Sequence, residues 1–141
     1  MFKFPSQLVD AIVAAAQEAP QVIAAYAFGS TARGAAHPRD LDIALLWDES
    51  ASEPSRWRVE ERFALGVERR MPERRNVEVV DLRRAAPSLQ HRILSEGIRV
   101  LDRDRVQRTR FEALAWSMAV DFLEWQRPYV ERWRRTVSGG R

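Results

Sequence analysis

The sequence predicts one α/β (α+β) domain: a small mixed β-sheet of about four strands flanked by helices, with a long helix at the C-terminal end. Three observations carry this expectation. Short apolar runs of strand length alternate with segments whose apolar residues recur every three or four positions. Glycine, proline and polar clusters punctuate the boundaries between them. The length, 141 residues, suffices for one core and is short for two, so residues 1–141 are taken as a single domain.

Residues 6–19 carry Leu8, Val9, Ile12, Val13 and Ala16 at helical spacing, and Pro20 is the stop. Residues 21–28 form an apolar run of strand length that closes at Gly29. Residues 29–34 read as a turn enclosing at most one helical turn, followed by a loop over 35–39 that contains Pro38. A second strand is expected over 40–47 and a polar linker over 48–54. The helix predicted over 55–71 carries Trp57, Phe63, Leu65 and Val67. A third strand follows over 76–82, then a short helix over 87–95 stopped by Gly97, then a fourth strand over 98–101. From 104 to about 133 the pattern is helical again, with Pro128 as the expected kink.

Composition excludes several classes of function. The chain has no cysteine, so disulfide scaffolds, thiolate metal sites and cysteine nucleophiles are ruled out. Only His37 and His91 are available for a histidine site. No apolar run reaches the roughly 18 residues of a membrane span, and the faint N-terminal apolar core is interrupted by Asp10. The expectation is a cytoplasmic protein with no membrane partner. The net charge of +3 raises the question of nucleic acid. Of 23 basic residues only Lys3 is lysine, a bias that fits a GC-rich coding sequence, and 20 acidic residues are interleaved with the arginines. That is a mixed, solvated surface rather than a nucleic-acid stripe, so direct nucleic-acid binding is not expected.

The informative stretch runs from Phe28-Gly29-Ser30 to Asp40-Leu41-Asp42. A glycine straight after a buried strand lets the backbone turn sharply and approach a ligand. Ser30 then offers a hydroxyl and an amide where an anion is favoured, the physics of a phosphate cradle. A strand exit with a helix cap is the alternative reading of the same two residues. Asp40 and Asp42, two residues apart on a strand, leave the same face with Cα atoms about 6.7 Å apart. They are close enough to bridge hard cations, or they belong to a solvated loop before the strand. Asp81, at the end of the third strand, would complete a triad if that strand neighbours the second; Glu78 is expected on the other face. A phosphate cradle with three strand carboxylates is the chemistry of metal-dependent nucleotidyl transfer. Two Mg²⁺ ions about 4 Å apart would clamp the attacking and leaving oxygens of an in-line displacement at an α-phosphate.

Phe28-Gly29-Ser30, Arg33-Gly34 and Asp40-Leu41-Asp42 resemble the signature of the DNA polymerase β-like nucleotidyltransferase superfamily. The small size, the ending Val80-Asp81-Leu82 and the stretch Leu89-Gln90-His91-Arg92-Ile93-Leu94 with Gly97 resemble its minimal nucleotidyltransferase (MNT) branch. Arg110-Phe111-Glu112 and Val120-Asp121-Phe122 resemble the long terminal helix of that branch's antitoxins. The resemblance implies a polymerase β-like fold and a partnership with a HEPN-domain ribonuclease toxin as a hetero-oligomer. It also implies transfer of AMP from ATP, with Mg²⁺, to a tyrosine of that toxin. By the same resemblance Gly29 and Ser30 hold the β,γ-phosphates, Asp40 and Asp42 ligate the metals, and Asp81 is the third carboxylate. Arg33 either contacts phosphate or braces the turn. Nine residues separate Ser30 from Asp40, one fewer than the family's commonest spacing, and Arg39 stands where a small serine is usual.

Two other functions suit the same residues: a nucleotidyltransferase fold that neutralises a toxin by binding alone, and a small-molecule (aminoglycoside-type) nucleotidyltransferase. The terminal helix, 103–135, is the expected partner-binding element. Thirty helical residues run about 45 Å, whereas a globule of this length has a radius of gyration of about 14 Å. Trp125, Tyr129 and Trp133 are therefore expected to outreach the core as an aromatic patch, rimmed by Arg127, Arg132, Arg134 and Arg135.

Overall fold

The computed structural model describes residues 6–30, 32, 40–72 and 76–121. Arg33, Arg39 and the aromatic residues Trp125, Tyr129 and Trp133 lie outside them. In chain order the elements are α1 (Ser6–Ala16), β1 (Val22–Phe28), β2 (Asp40–Trp47), α2 (Glu53–Arg70), β3 (Asn76–Asp81), α3 (Pro87–Glu96) and β4 (Ile98–Asp102). A fourth helix, α4, covers 105–121. None of the described helices is long and apolar enough to cross a membrane.

The sheet order is β3-β2-β1-β4. β1 is antiparallel to both its neighbours, and β2 and β3 are parallel, joined by the α2 crossover. β1 lies in the middle with all seven residues buried, which explains why it reads as an unbroken apolar run without alternation. Its register slips against β2 between Val22 and Ala24. The extra residue interrupts the two-residue alternation, so Ile23 and Ala24 serve the same cluster.

Two cores flank the sheet. On one side α1 and α2 cover Leu41, Ile43, Leu45 and Trp47 of β2 through Leu8, Ile12, Phe63 and Val67. On the other, Ile93 of α3 and Phe111 of α4 pack against Tyr26, Phe28, Ala44 and Leu46. The layers are thus α1/α2, sheet, α3/α4. This is the mixed four-strand architecture expected from the sequence.

α1 is shorter than expected, ending at Ala16 rather than at 19. Gln17, Glu18 and Ala19 donate to carbonyls three residues back, at 3.2, 3.3 and 3.0 Å, the tight turn in which helices often finish. Arg103 stabilises this end from across the fold. Its Nη2 donates to the Ala16 carbonyl at 2.6 Å and its Nη1 to Ala19 at 2.9 Å and Val22 at 3.1 Å. A cation on orphaned C-terminal carbonyls complements the helix dipole.

α4 is tied down by a polar network. Tyr26 donates its hydroxyl to Glu112 Oε1 at 2.5 Å. The buried Arg108 pairs with Asp102 and with Glu112, each at 2.9 Å. Burial first, and the Glu112 carboxylate second, push the Tyr26 hydroxyl far above its usual titration range. The outer side of α4 exposes large apolar residues among polar ones: Leu114 is 61% exposed and Met118 50%.

Candidate active site

β2 enters the sheet through its polar end. Asp40 is exposed, Asp42 is half-buried, and everything from Ile43 to Trp47 is buried. Asp42 pairs with Phe28, the last residue of β1. The next residue, Gly29, has φ +72, and a Cβ built there would collide with Asp42 Oδ2. Only glycine fits on both counts, since the left-handed conformation and the close approach each exclude a side chain. Ser30, half-exposed, follows at once. The Gly-Ser turn and the Asp-Leu-Asp pair therefore meet, as the sequence expected.

The third carboxylate is a different one. Parallel neighbours in register share a face, and Asp42 is in register with Glu78, whereas Asp81 is in register with Leu45. Asp81 sits about 10 Å further along the sheet and leaves the opposite face. There its Oδ2 pairs with Arg56 Nη1 of α2 at 3.2 Å, with side chains only 10% and 11% exposed. Its Oδ1 accepts the Arg83 amide at 3.1 Å. The expectation that Asp81 completes the triad is corrected: it braces β3 against α2. Glu78, expected on the other face, is the residue opposite Asp42. The signal was present in Val77-Glu78-Val79, a carboxylate inside an apolar strand. Glu78 and Asp81 are an odd number apart, so only one of them can share the Asp42 face, and only the pairing register says which.

Burial is the largest influence on the Asp42 carboxyl and raises its pKa. The neighbouring Glu78, by charge and by a shared hydrogen bond, and then Asp40 raise it further, while Arg92 opposes them. On the adjacent pair, Asn76 Nδ2 approaches Asp40 Oδ1 at 3.4 Å. Among the described residues no three Asp, Glu or His groups close around a single point. The donor set nevertheless suits a hard cation, because all three side chains supply carboxylate oxygens and their mutual repulsion is what a cation would relieve.

One recess of the described surface lies elsewhere. A groove of about 390 Å³ between α1 and α2, lined by Ala15, Glu18, Phe63 and Gly66, opens on the side of the sheet away from Asp42. It gathers no carboxylate cluster and is not the reactive site.

An open mixed sheet with a glycine-serine turn against strand carboxylates defines a nucleotidyltransferase of the polymerase β type. Residues 10–106 match the family described as Polymerase beta, Nucleotidyltransferase, and the chain belongs to that family. Among solved structures it is similar to a chain of a toxin–antitoxin complex crystallised with AMP-PNP, at TM-score 0.68 and 21% identity over 88% of this chain and 96% of that one. A chain of the MntA–HepT toxin–antitoxin complex matches at TM-score 0.65 and 19% identity, over 91% and 97%. A complex of tri-AMPylated Shewanella oneidensis HEPN toxin with MNT antitoxin matches at 0.64 and 20%, over 89% and 94%. At these identities the likeness is one of fold. Comparison with curated proteins found no match.

Proposed function

We propose that this chain is an antitoxin that works as a protein adenylyltransferase, moving AMP from MgATP to a tyrosine hydroxyl of a HEPN-domain ribonuclease toxin in the cytoplasm. The observation that carries the reading is the close approach of Asp42 to the Gly29 turn, at the end of the sheet where Asp40 begins β2 and Glu78 lies in register with Asp42. The similar structures that hold AMP-PNP or an AMPylated toxin support the choice of nucleotide and partner.

In this reading Asp40, Asp42 and Glu78 hold Mg²⁺, and the Gly29 and Ser30 amides with the Ser30 hydroxyl receive the β,γ-phosphates. Arg33 adds a phosphate contact or braces the turn. Bound Mg²⁺ supplies neutralisation of the triphosphate and polarisation of its P–O bonds. The acceptor oxygen forms a bond to the α-phosphorus as the bond to the β-phosphate bridge breaks, and pyrophosphate leaves. The acceptor hydroxyl gives up its proton as its oxygen bonds to phosphorus, and a carboxylate of the site would receive it. The toxin docks on the terminal helix, whose described part exposes Leu114 and Met118, and Trp125, Tyr129 and Trp133 are the proposed anchors.

Incubation with MgATP and a HEPN-domain ribonuclease that binds this chain tests this. The toxin should gain mass in AMP units and remain inactive after the antitoxin is removed, because a phosphodiester then sits beside a site built for RNA phosphates. Tight inhibition with no mass gain, relieved on separation, would establish neutralisation by binding alone.

A further inference from the structure

We propose that Arg92 is the cation that takes the phosphates of the nucleotide in this site, an assignment that rests on the nucleotidyl-transfer reading above. The path of α3 places it there. Gln90, one turn into the helix, donates to the Leu82 carbonyl at 2.9 Å, at the end of the sheet away from the carboxylates. The helix then runs back over the Asp42 face and stops at Gly97, where an added Cβ would stand 3.3 Å from the Ala27 carbonyl. β4 starts immediately, with Ile98 opposite Ala27, and the residue after Ala27 is Phe28, the partner of Asp42. The last turn of α3 is therefore at the carboxylate end.

The rotation of the helix decides which side chains look at the site. Gln90 and Ile93 are buried against the sheet. His91 turns toward α4, its ring edge-on to Trp116 at 5.0 Å, and α4 lies over β1 and β4 through the bond from Tyr26 to Glu112 and the contact of Arg99 with Glu112. At about 100° per residue, Arg92 leaves the other flank, toward β2 and β3, where Asp42 and Glu78 stand.

Arg92 is also uncommitted. It is exposed, and among the described residues no hydrogen bond or ion pair holds its side chain. Arg56, Arg83, Arg103 and Arg108, by contrast, are each bonded to carbonyls or to side-chain oxygens. Its charge still reaches Asp42. A guanidinium whose charge reaches Asp42 without gripping it keeps a full fork of donors for a further anion. Non-bridging phosphate oxygens offer the planar, bidentate acceptor that fork matches, and an arginine aimed at a transferring phosphoryl group stabilises the charge that develops there.

Calorimetric titration of the full chain with MgATP and with Mg²⁺ alone separates the possibilities for wild type, Arg92→Gln and Arg92→Lys. Arg92→Gln should lower affinity for MgATP by at least about tenfold, with partial recovery in Arg92→Lys. Both variants should keep the wild-type Tm, because Arg92 is exposed and unbonded. Mg²⁺ alone should bind Arg92→Gln as tightly as wild type or more tightly, since a competing cation has gone. Equal MgATP affinity in wild type and Arg92→Gln overturns the assignment and leaves the nucleotidyltransferase reading standing. Wild type that fails to bind MgATP overturns both.

Discussion

Asp42 stands opposite Glu78 on the parallel β2–β3 pair, and after burial the Glu78 carboxylate is what most raises the Asp42 pKa. Asp81, three residues beyond Glu78, is turned through the sheet to Arg56 of α2. The three acids of this region therefore divide into two jobs, and the division makes them separable by substitution.

Asp42→Asn should abolish nucleotidyl transfer while leaving the Tm equal to wild type or higher near neutral pH. The Asp42 pKa is raised in the folded chain by burial first and then by Glu78 and Asp40. Its contribution to stability is thus greatest below the unfolded-state pKa and is lost as pH rises through the folded one. The Tm advantage of the variant should accordingly appear above that window and vanish toward about pH 3. Thermal melts across pH, in chelator, check this; a variant that melts lower throughout would make Asp42 a structural residue.

Asp81 and Glu78 should behave oppositely. Asp81→Ala strands Arg56 in a nearly closed environment, and removing one partner of such a pair costs about 3 kcal/mol. Its transfer rate per folded molecule should stay near wild type. Glu78→Gln, at an exposed position, should keep the Tm and lose transfer. Denaturant melts paired with single-turnover assays decide the matter, and full activity in Glu78→Gln would return the third metal ligand to the search.

Gly29→Ala should cost stability and activity together. It forces a side chain into φ +72 and against the Asp42 carboxylate, and strain of this kind costs about 1–3 kcal/mol. Ser30→Ala, one residue on, should weaken MgATP binding without that loss. A Gly29→Ala chain with wild-type Tm and Mg²⁺ affinity would contradict the close approach.

Trp125→Ala combined with Trp133→Ala should weaken toxin binding at least tenfold, about 1.4 kcal/mol, with MgATP affinity unchanged. Arg108→Ala should weaken the same interaction indirectly, by releasing Asp102 and Glu112 and loosening α4 from the sheet. Normal toxin binding with a lowered Tm in the double tryptophan variant would assign that stripe to the core.

The sequence by itself determined the order of elements, and even the bounds of β2, because its apolar run starts abruptly after two acids. It also singled out Gly29, Ser30, Asp40 and Asp42 as candidates for one site: a sharp turn after a buried strand and two acids at even spacing are local properties. Where the tertiary structure decided, the cause was always a partner distant in sequence. Alternation tells which residues of one strand share a face, but not how that strand is phased against its neighbour, so Glu78 rather than Asp81 faces Asp42 only through the β2–β3 register. The carbonyls at the early end of α1 find their partner in Arg103, more than eighty residues away. The burial of Arg108 depends on Asp102 and Glu112 meeting it on one side of α4. A charged residue reads as surface in the sequence, and only the fold supplies the opposite charges that let it be buried.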